Sequence, residues 1–246
     1  MPSIHVLRTE LRRAVGGARD SVRSKGLLET TRRVFAVAGG QLAEPITARR
    51  RRDERFEFQG ERLPYTFVRY NNSFLNERAI EISIAKWFLA DSQGPILEVG
   101  NVLAHYGVSG HTVLDKYEVI PGVLNEDIVD YVPSTPFQTV IAISTLEHVG
   151  WDETPRDPGK VLRAIESVKA CVAPGGRALV TMPLGYNTGL DGGLRDGAIQ
   201  FDEVVWMVRA SRRNEWVEAG KDEALAEEYG RPYTGANGLY VGMITG

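Results

Sequence analysis

The sequence predicts an α/β fold, with a mainly parallel sheet of seven strands and helices on both faces. Short apolar runs alternate with stretches of helical periodicity, as they do where helices connect parallel strands. Residues 158–172 have the clearest helical pattern, and residues 76–89 predict a second helix capped by Asn76. The predicted strands cover residues 95–100, 111–116, 122–125, 138–144, 177–183, 203–209 and 238–245.

The composition is that of a globular protein with one main core. The chain has 246 residues, of which 43% are hydrophobic and 25% charged. Its one cysteine, Cys171, cannot form an intramolecular disulfide, and its place in a helical run favours a buried thiol. No apolar run approaches the ~18 residues that span a bilayer, and the N-terminus does not have the pattern of a secretory signal. We therefore expect a cytoplasmic protein.

Charge divides the chain into two parts. Residues 1–55 contain thirteen Lys or Arg against six Asp or Glu, so this segment carries about +7 in a chain whose net charge is −3. Apolar residues recur at helical spacing in residues 4–15, and a poorer helical pattern covers residues 27–37. We predict a basic helical extension at 1–55 and a second domain at 56–246.

The basic extension has three interpretations. Its helices can pack on the domain or on a neighbouring subunit, with the arginines in solvent. In the second case the protein would be a homo-oligomer. A basic amphipathic helix can instead rest on anionic lipid, which would place the protein peripherally at the inner face of a membrane. Nucleic acid is the least favoured partner, because the segment has almost no aromatic residues on which bases can stack.

An acidic residue and a glycine close the first predicted strand of the sheet, in the run Glu98-Val99-Gly100. The next strand ends at Asp115, near the place where nucleotide-binding α/β folds have a carboxylate for ribose hydroxyls. A pyrophosphate needs bare backbone amides and closely spaced glycines, whereas Asn101 and the residues after it carry side chains. The turn therefore suits a nucleoside that carries no phosphate, and S-adenosylmethionine is such a ligand.

Over about residues 80–246 the chain resembles the class I S-adenosylmethionine-dependent methyltransferases. The motifs that carry the resemblance are, in order, Glu98-Val99-Gly100, Asp115, Asp127-Ile128, Leu146-Glu147-His148 and Ala173-Pro174-Gly175-Gly176-Arg177. The resemblance implies a Rossmann-like sheet, ribose binding by Asp115, and contacts of Asp127 and Ile128 with adenine. The cofactor site that it implies consists of Glu98, Gly100, Asn101, Asp115, Lys116, Asp127, Ile128 and Ser144.

His148 follows the fourth strand, and an unperturbed imidazole suits a general base that takes the proton of a methyl acceptor. The alternative is that His148 caps the following loop. In some similar O-methyltransferases a Glu and a His at this place bind a divalent metal together with a carboxylate three residues before the Glu, where this chain has Ser144. Asp152 or Glu153 can supply the missing oxygen, so Glu147, His148 and Asp152 are candidate ligands of Mg²⁺.

Five residues are candidate contacts for the acceptor: His105, Tyr106, Trp151, Tyr186 and Asn187. Aromatic faces with nearby polar groups suit a sugar ring, while His105 and Tyr106 in the first loop can face either the methionine moiety or the acceptor. The same residues would also suit another polar small molecule. A looser resemblance to methyltransferases of polysaccharide and glycan assembly, carried by residues 98–101, 115–118, 146–153 and 183–187, favours a glycan. We predict O-methylation of a saccharide, glycolipid or glycosylated metabolite. The alternative is a non-catalytic nucleoside-binding subunit, because the glycines after Gly100 are missing.

Overall fold

The computed structural model describes residues 48–68 and 70–245. The helical patterns at 4–15 and 27–37 lie outside the described residues, so the basic extension stays a prediction there. Its last residues are described, and Arg51 is only 7% exposed. The guanidinium of Arg51 lies 4.5 Å from the ring centre of Phe67, and its Nε donates to Glu54 at 2.7 Å. This arginine is therefore packed against the domain and not in solvent.

Within the described residues, the strands form a two-stranded hairpin and an eight-stranded sheet. The hairpin consists of β1 (Arg55–Phe58) and β2 (Glu61–Pro64). The order in the large sheet is β5-β4-β3-β6-β7-β10-β8-β9. Its strands are β3 (Ile96–Val99), β4 (Thr112–Leu114), β5 (Val123–Leu124), β6 (Phe137–Ile143), β7 (Val172–Pro183), β8 (Glu203–Arg209), β9 (Trp216–Ala219) and β10 (Gly238–Ile244).

The pairing confirms the predicted fold class. Strands β3 to β7 pair in parallel, whereas β10 is antiparallel to both β7 and β8. All seven predicted strands form. The eighth strand, β9, pairs antiparallel with β8 at the edge of the sheet and was not predicted. It is four residues long with two exposed side chains, so its sequence lacks a clear apolar alternation.

Helices cover both faces of the sheet, and the alternation of side chains along β6 shows how. Ile141 and Ile143 pack on α1 (Arg78–Leu89), while Val140 and Ala142 pack on the opposite face. That opposite face is covered by α2 (Lys160–Ala170), α3 (Thr188–Arg195) and α4 (Lys221–Leu225). Helix α2 is shorter than the predicted 158–172, because Val172 already belongs to β7. Among the described residues no helix has the length and apolarity to cross a membrane.

The connections from β3 to β6 are short. Residues 100–136 are all described, and they contain a 3-10 helix at Leu103–Tyr106 but no α-helix. No α-helix of this segment therefore covers the carboxyl ends of β3 and β4. Several large apolar side chains at this end of the molecule are exposed: Tyr117, Val119, Ile120, Leu124 and Val132.

Candidate functional site

The site lies at the carboxyl ends of the parallel strands, where the strand order reverses. Strand β3 has β4 on one side and β6 on the other, and open α/β sheets bind ligands in the crevice at such a switch point. Gly100 follows β3 with a φ of 86°, and a Cβ there would lie 2.3 Å from Thr145 Oγ1. The turns after β3 and β6 thus meet so closely that only glycine fits.

The carboxylate of Glu98 organises the turn after β3. It is fully buried, and its Oε1 accepts from the backbone N–H groups of Val102 at 2.8 Å and Leu103 at 2.7 Å. Its Oε2 lies 2.7 Å from His111 Nε2. The amides that a pyrophosphate would use at this turn are therefore already bonded, next to a buried acid. Glu98 therefore fixes the turn after β3 through the backbone of that turn.

Asp115 stands at the end of β4, beside that turn. Its Oδ1 accepts from the N–H groups of Tyr117 and Glu118, both at 2.8 Å, which fixes the side chain. Its Oδ2 has a long contact of 3.4 Å with the N–H of Asn101. Since a carboxylate oxygen has two lone pairs, Oδ2 retains the capacity to accept from hydroxyl groups of a ligand.

Asp127 belongs to an ion-pair cluster with Lys116, Lys160 and Glu153. Its Oδ2 lies 2.8 Å from Lys116 Nζ and 2.6 Å from Lys160 Nζ, and its Oδ1 accepts from the N–H of Val129. Burial raises the pKa of Asp127, but the bonds from the two lysines outweigh it and hold that pKa at about 2. Both oxygens of Asp127 already have donors, with two lysines on Oδ2 and one N–H group on Oδ1, so binding of adenine by this carboxylate stays a prediction. The side chain of Ile128 lies in the core.

A cavity of about 280 Å³ lies next to the switch point. Its walls come from the segment before α1 and the first residue of that helix, the loops after β6 and β7, and the segment before β10. Thirteen residues line it, and all but Leu75 and Gly235 have polar side chains: Asn71, Asn72, Leu75, Asn76, Glu77, Arg78, Ser144, Glu147, His148, Tyr186, Tyr229, Thr234 and Gly235. The volume of the cavity suits a single ring of a polar metabolite.

His148 faces this cavity with a side chain that is 49% exposed. Its Nδ1 lies 2.6 Å from Asp152 Oδ2, and the hydroxyl of Tyr186 donates to the same carboxylate at 2.8 Å. Because an ionised carboxylate only accepts, Nδ1 carries the hydrogen and Nε2 has the free lone pair. Asp152 therefore fixes the orientation of the imidazole and leaves Nε2 as the ring nitrogen that can accept a proton.

Glu147 lies beside His148 but is buried, with 2% of its surface exposed. Its Oε1 is 3.4 Å from His148 Nε2, longer than a good hydrogen bond. Its Oε2 has no hydrogen-bond partner among the described residues. Burial raises the pKa of Glu147 to about 7, although Arg78 and a protonated His148 both act to lower it.

The predicted Mg²⁺ site is not supported. No group of three or more His, Cys, Asp or Glu side chains that could hold a metal occurs in the described part of the chain. The geometry gives the reason, since Asp152 contacts Nδ1 of His148 while Glu147 lies near Nε2. The two ring nitrogens point in different directions, so Glu147, His148 and Asp152 do not converge on one ion.

Of the five predicted acceptor contacts, Tyr186 lines the cavity and the other four do not. His105 stacks on Tyr70 with ring centres 4.0 Å apart, and Tyr106 is buried behind the same ring. Trp151 packs under the guanidinium of Arg156. Asn187 is fully buried as the N-cap of α3, so an acceptor contact does not fit its position: its Oδ1 accepts from two amides and its Nδ2 donates to the carbonyl of Glu147.

A buried polar network under the cavity was not predicted. Glu81, on α1, accepts from Arg78 Nη1 at 3.1 Å, from Ser144 Oγ at 2.5 Å and from Thr181 Oγ1 at 2.6 Å. Ser144, a predicted cofactor residue, is thereby fixed in the wall of the cavity, with a φ of 39°. The signal in the sequence is an acid in an apolar helical run, in Ile80-Glu81-Ile82. Such a residue must have buried partners.

Solved structures of modest similarity include three methyltransferases. They are N-methyltransferase NodS from Bradyrhizobium japonicum (14% identity, 68% of this chain and 85% of that chain, TM-score 0.39), a possible histamine N-methyltransferase from Thermotoga maritima (15%, 65% and 86%, 0.41) and the sugar N-methyltransferase KedS8 from a Streptoalloteichus species (9%, 68% and 86%, 0.34). No protein-family model and no curated protein matches the sequence. At these identities and TM-scores the similarities do not define the activity of the chain.

Proposed function

We propose that the protein is an S-adenosylmethionine-dependent methyltransferase that O-methylates a saccharide, glycolipid or glycosylated metabolite. The proposal joins two neighbouring sites at the carboxyl edge of the sheet. One is the crevice between Gly100 and Asp115, and the other is the polar cavity beside His148.

The observation that carries the proposal is the occupation of the turn after β3 by Glu98. Dinucleotide-binding folds place a pyrophosphate on free amides at this point. Here the amides of Val102 and Leu103 are bonded to a buried carboxylate, which would also repel a phosphate. A nucleoside without phosphate, bound through its ribose, remains compatible with the turn.

The residues present fit S-adenosylmethionine, which supplies an electrophilic methyl group when bound. Gly100 keeps the crevice free of side chains, and Asp115 has an oxygen available for ribose hydroxyls. On the other side, Nε2 of His148 takes the proton from the hydroxyl group of the methyl acceptor in the cavity. Asp152 holds the imidazole in place. The polar lining can satisfy the remaining hydroxyls of a sugar ring.

The test is methyl transfer from labelled S-adenosylmethionine to a panel of saccharide acceptors. His148→Ala should lower kcat by about 10²–10⁴-fold, because a positioned base contributes this much. Its affinity for S-adenosylhomocysteine should change little. Asp152→Asn should also lower kcat, since it removes the charge that orients the imidazole, whereas the surface variant Asp157→Asn should not.

The outcomes separate the alternatives. Binding of S-adenosylhomocysteine with no turnover on any acceptor would favour the non-catalytic subunit. Turnover that His148→Ala leaves unchanged would remove the base and leave positioning as the source of catalysis.

A further inference from the structure

We propose that the acceptor carries a positively charged amino group, which Glu147 binds beside the position of the reacting hydroxyl. This inference rests on the proposed function and specifies its substrate class as an amino sugar or a similar amino alcohol. It starts from the charges around the cavity.

The three buried carboxylates near the cavity, Glu77, Glu81 and Glu147, differ in their direct partners. Glu81 forms a salt bridge with Arg78 at 3.1 Å. Glu77 accepts from the N–H of Ala236. The charge of Arg78 acts on both Glu77 and Glu147, but the salt bridge of Arg78 is with Glu81. Glu147 forms no salt bridge with an Arg or Lys of the described chain, and its contact with His148 is long. One negative charge is therefore left without a close cation.

The second observation is the free oxygen of Glu147. Its side chain is 2% exposed and lines the cavity, and Oε2 has no hydrogen-bond partner within the described residues. Burial of a carboxylate oxygen without a hydrogen-bond donor costs free energy. A ligand that donates a hydrogen bond to this oxygen therefore gains binding energy. A neutral hydroxyl would supply a hydrogen bond but leave the charge uncompensated. An ammonium group supplies both.

The positions of the two side chains define the relation between amine and hydroxyl. Glu147 and His148 are adjacent in the chain, and Oε1 and Nε2 lie 3.4 Å apart. Substituents on neighbouring carbons of a sugar ring can therefore reach one side chain each. The imidazole takes the proton of the hydroxyl, while the carboxylate holds the ammonium group and thereby fixes which hydroxyl is presented.

The experiment compares glucosamine with glucose, which differ only by an amino group in place of one hydroxyl. Binding of each sugar is measured by calorimetry at neutral pH, with and without saturating S-adenosylhomocysteine. The wild type should bind glucosamine about tenfold or more tightly than glucose, since hydrogen bonds to charged groups exceed neutral ones by this order. Glu147→Gln keeps the shape of the side chain and should abolish the preference, whereas Glu166→Gln on the exposed face of α2 should retain it.

Three results would overturn the proposal. They are equal binding of the two sugars, no glucosamine binding at any soluble concentration, or a preference that survives in Glu147→Gln. If Glu147→Gln weakens binding of S-adenosylmethionine but not of S-adenosylhomocysteine, which lacks the sulfonium charge, the carboxylate belongs to the sulfonium instead, and the proposal would also be overturned. If S-adenosylhomocysteine fails to bind while the glucosamine preference holds, the methyltransferase proposal fails and the amine site stands.

Discussion

A carboxylate that accepts two amide hydrogens at a turn withholds those amides from any ligand. Glu98 does this after β3, so a single side chain separates this turn from a phosphate-binding one. Asp115 differs, because its two oxygens have unequal roles. Oδ1 holds the local backbone, and Oδ2 is the oxygen available to a ribose.

Asp115→Asn tests the ribose contact without removing the local backbone bonds. The asparagine oxygen can still accept from Tyr117 and Glu118, but the charge that strengthens bonds to ribose hydroxyls is lost. We expect an affinity for S-adenosylhomocysteine about tenfold lower, measured by calorimetry. Asp91→Asn, at an exposed position after α1, is the control. Unchanged affinity in folded Asp115→Asn would exclude Asp115 from the site.

Glu147→Gln should change how stability depends on pH. Burial raises the pKa of Glu147 from 4.5 to about 7, so the folded protein holds this proton more tightly than the unfolded chain does. The wild type therefore loses stability as the pH rises from about 4.5 to about 7, and the glutamine variant does not. Relative to wild type, the variant should gain about 3 kcal/mol in free energy of unfolding over this range.

The measurement is urea unfolding of both proteins at several pH values, in which the effects of all other titrating groups cancel. Glu153→Gln should show no such gain, because the pKa of Glu153 is lowered: burial raises it, but the bonds from Lys160 and Lys116 prevail. A difference between wild type and Glu147→Gln that is independent of pH would contradict the buried, uncompensated state of Glu147.

At the scale of elements, helix α1 both covers the sheet and builds the cavity. Its isoleucines face the core, while Glu77 and Arg78 at its start line the cavity. Glu81 links the helix to β7 through Thr181 and to the loop after β6 through Ser144. The position of the cavity wall therefore depends on buried polar bonds as well as on apolar packing.

Glu81→Gln should destabilise the protein by about 3 kcal/mol or more, because it leaves the buried Arg78 without its ionic partner. Glu166 and Lys169 on α2 form a matched pair with the same spacing, but the side chain of Glu166 is 67% exposed. Glu166→Gln should cost less than about 1 kcal/mol. Urea unfolding of both variants gives the comparison, and similar costs would refute the structural role of the network.

Gly100→Ala and Gly107→Ala separate backbone strain from the close approach of two turns. Both glycines have positive φ, of 86° and 78°, so each variant pays about 1–2 kcal/mol for an alanine in this conformation. A Cβ at Gly107 meets nothing within 4 Å, whereas one at Gly100 collides with Thr145. We expect Gly100→Ala to lose most of its affinity for S-adenosylhomocysteine in calorimetry and Gly107→Ala to retain it. Equal losses would show that strain alone matters.

The sequence predicts the strands well because buried parallel strands are uninterrupted apolar runs. It fails for β9, an edge strand with two exposed side chains. Site residues in the loops that follow strands, His148 among them, are predictable from position alone. That rule places Asn187 in the site as well, but its amide caps α3. Chain order cannot reveal Arg78 and Glu81, because α1 reaches the end of β6 only through tertiary packing.

For the whole molecule, the reversal of strand order and the placement of α1 bring two sites to one edge of the sheet. The crevice at Gly100 and the cavity at His148 both adjoin the turn after β6, which contributes Thr145 to one and Ser144 to the other. A cofactor bound in the crevice would thus be next to an acceptor in the cavity. Membrane contact and oligomerisation through residues 1–55 stay proposals.

The most direct test of the account is a calorimetric comparison of S-adenosylhomocysteine with NAD⁺. Both ligands offer a ribose to Asp115, but NAD⁺ also needs free amides for its pyrophosphate. We predict saturable one-to-one binding of S-adenosylhomocysteine and no measurable binding of NAD⁺, because Glu98 occupies the amides after β3. Binding of NAD⁺ in preference to S-adenosylhomocysteine, or binding of neither, would contradict the account.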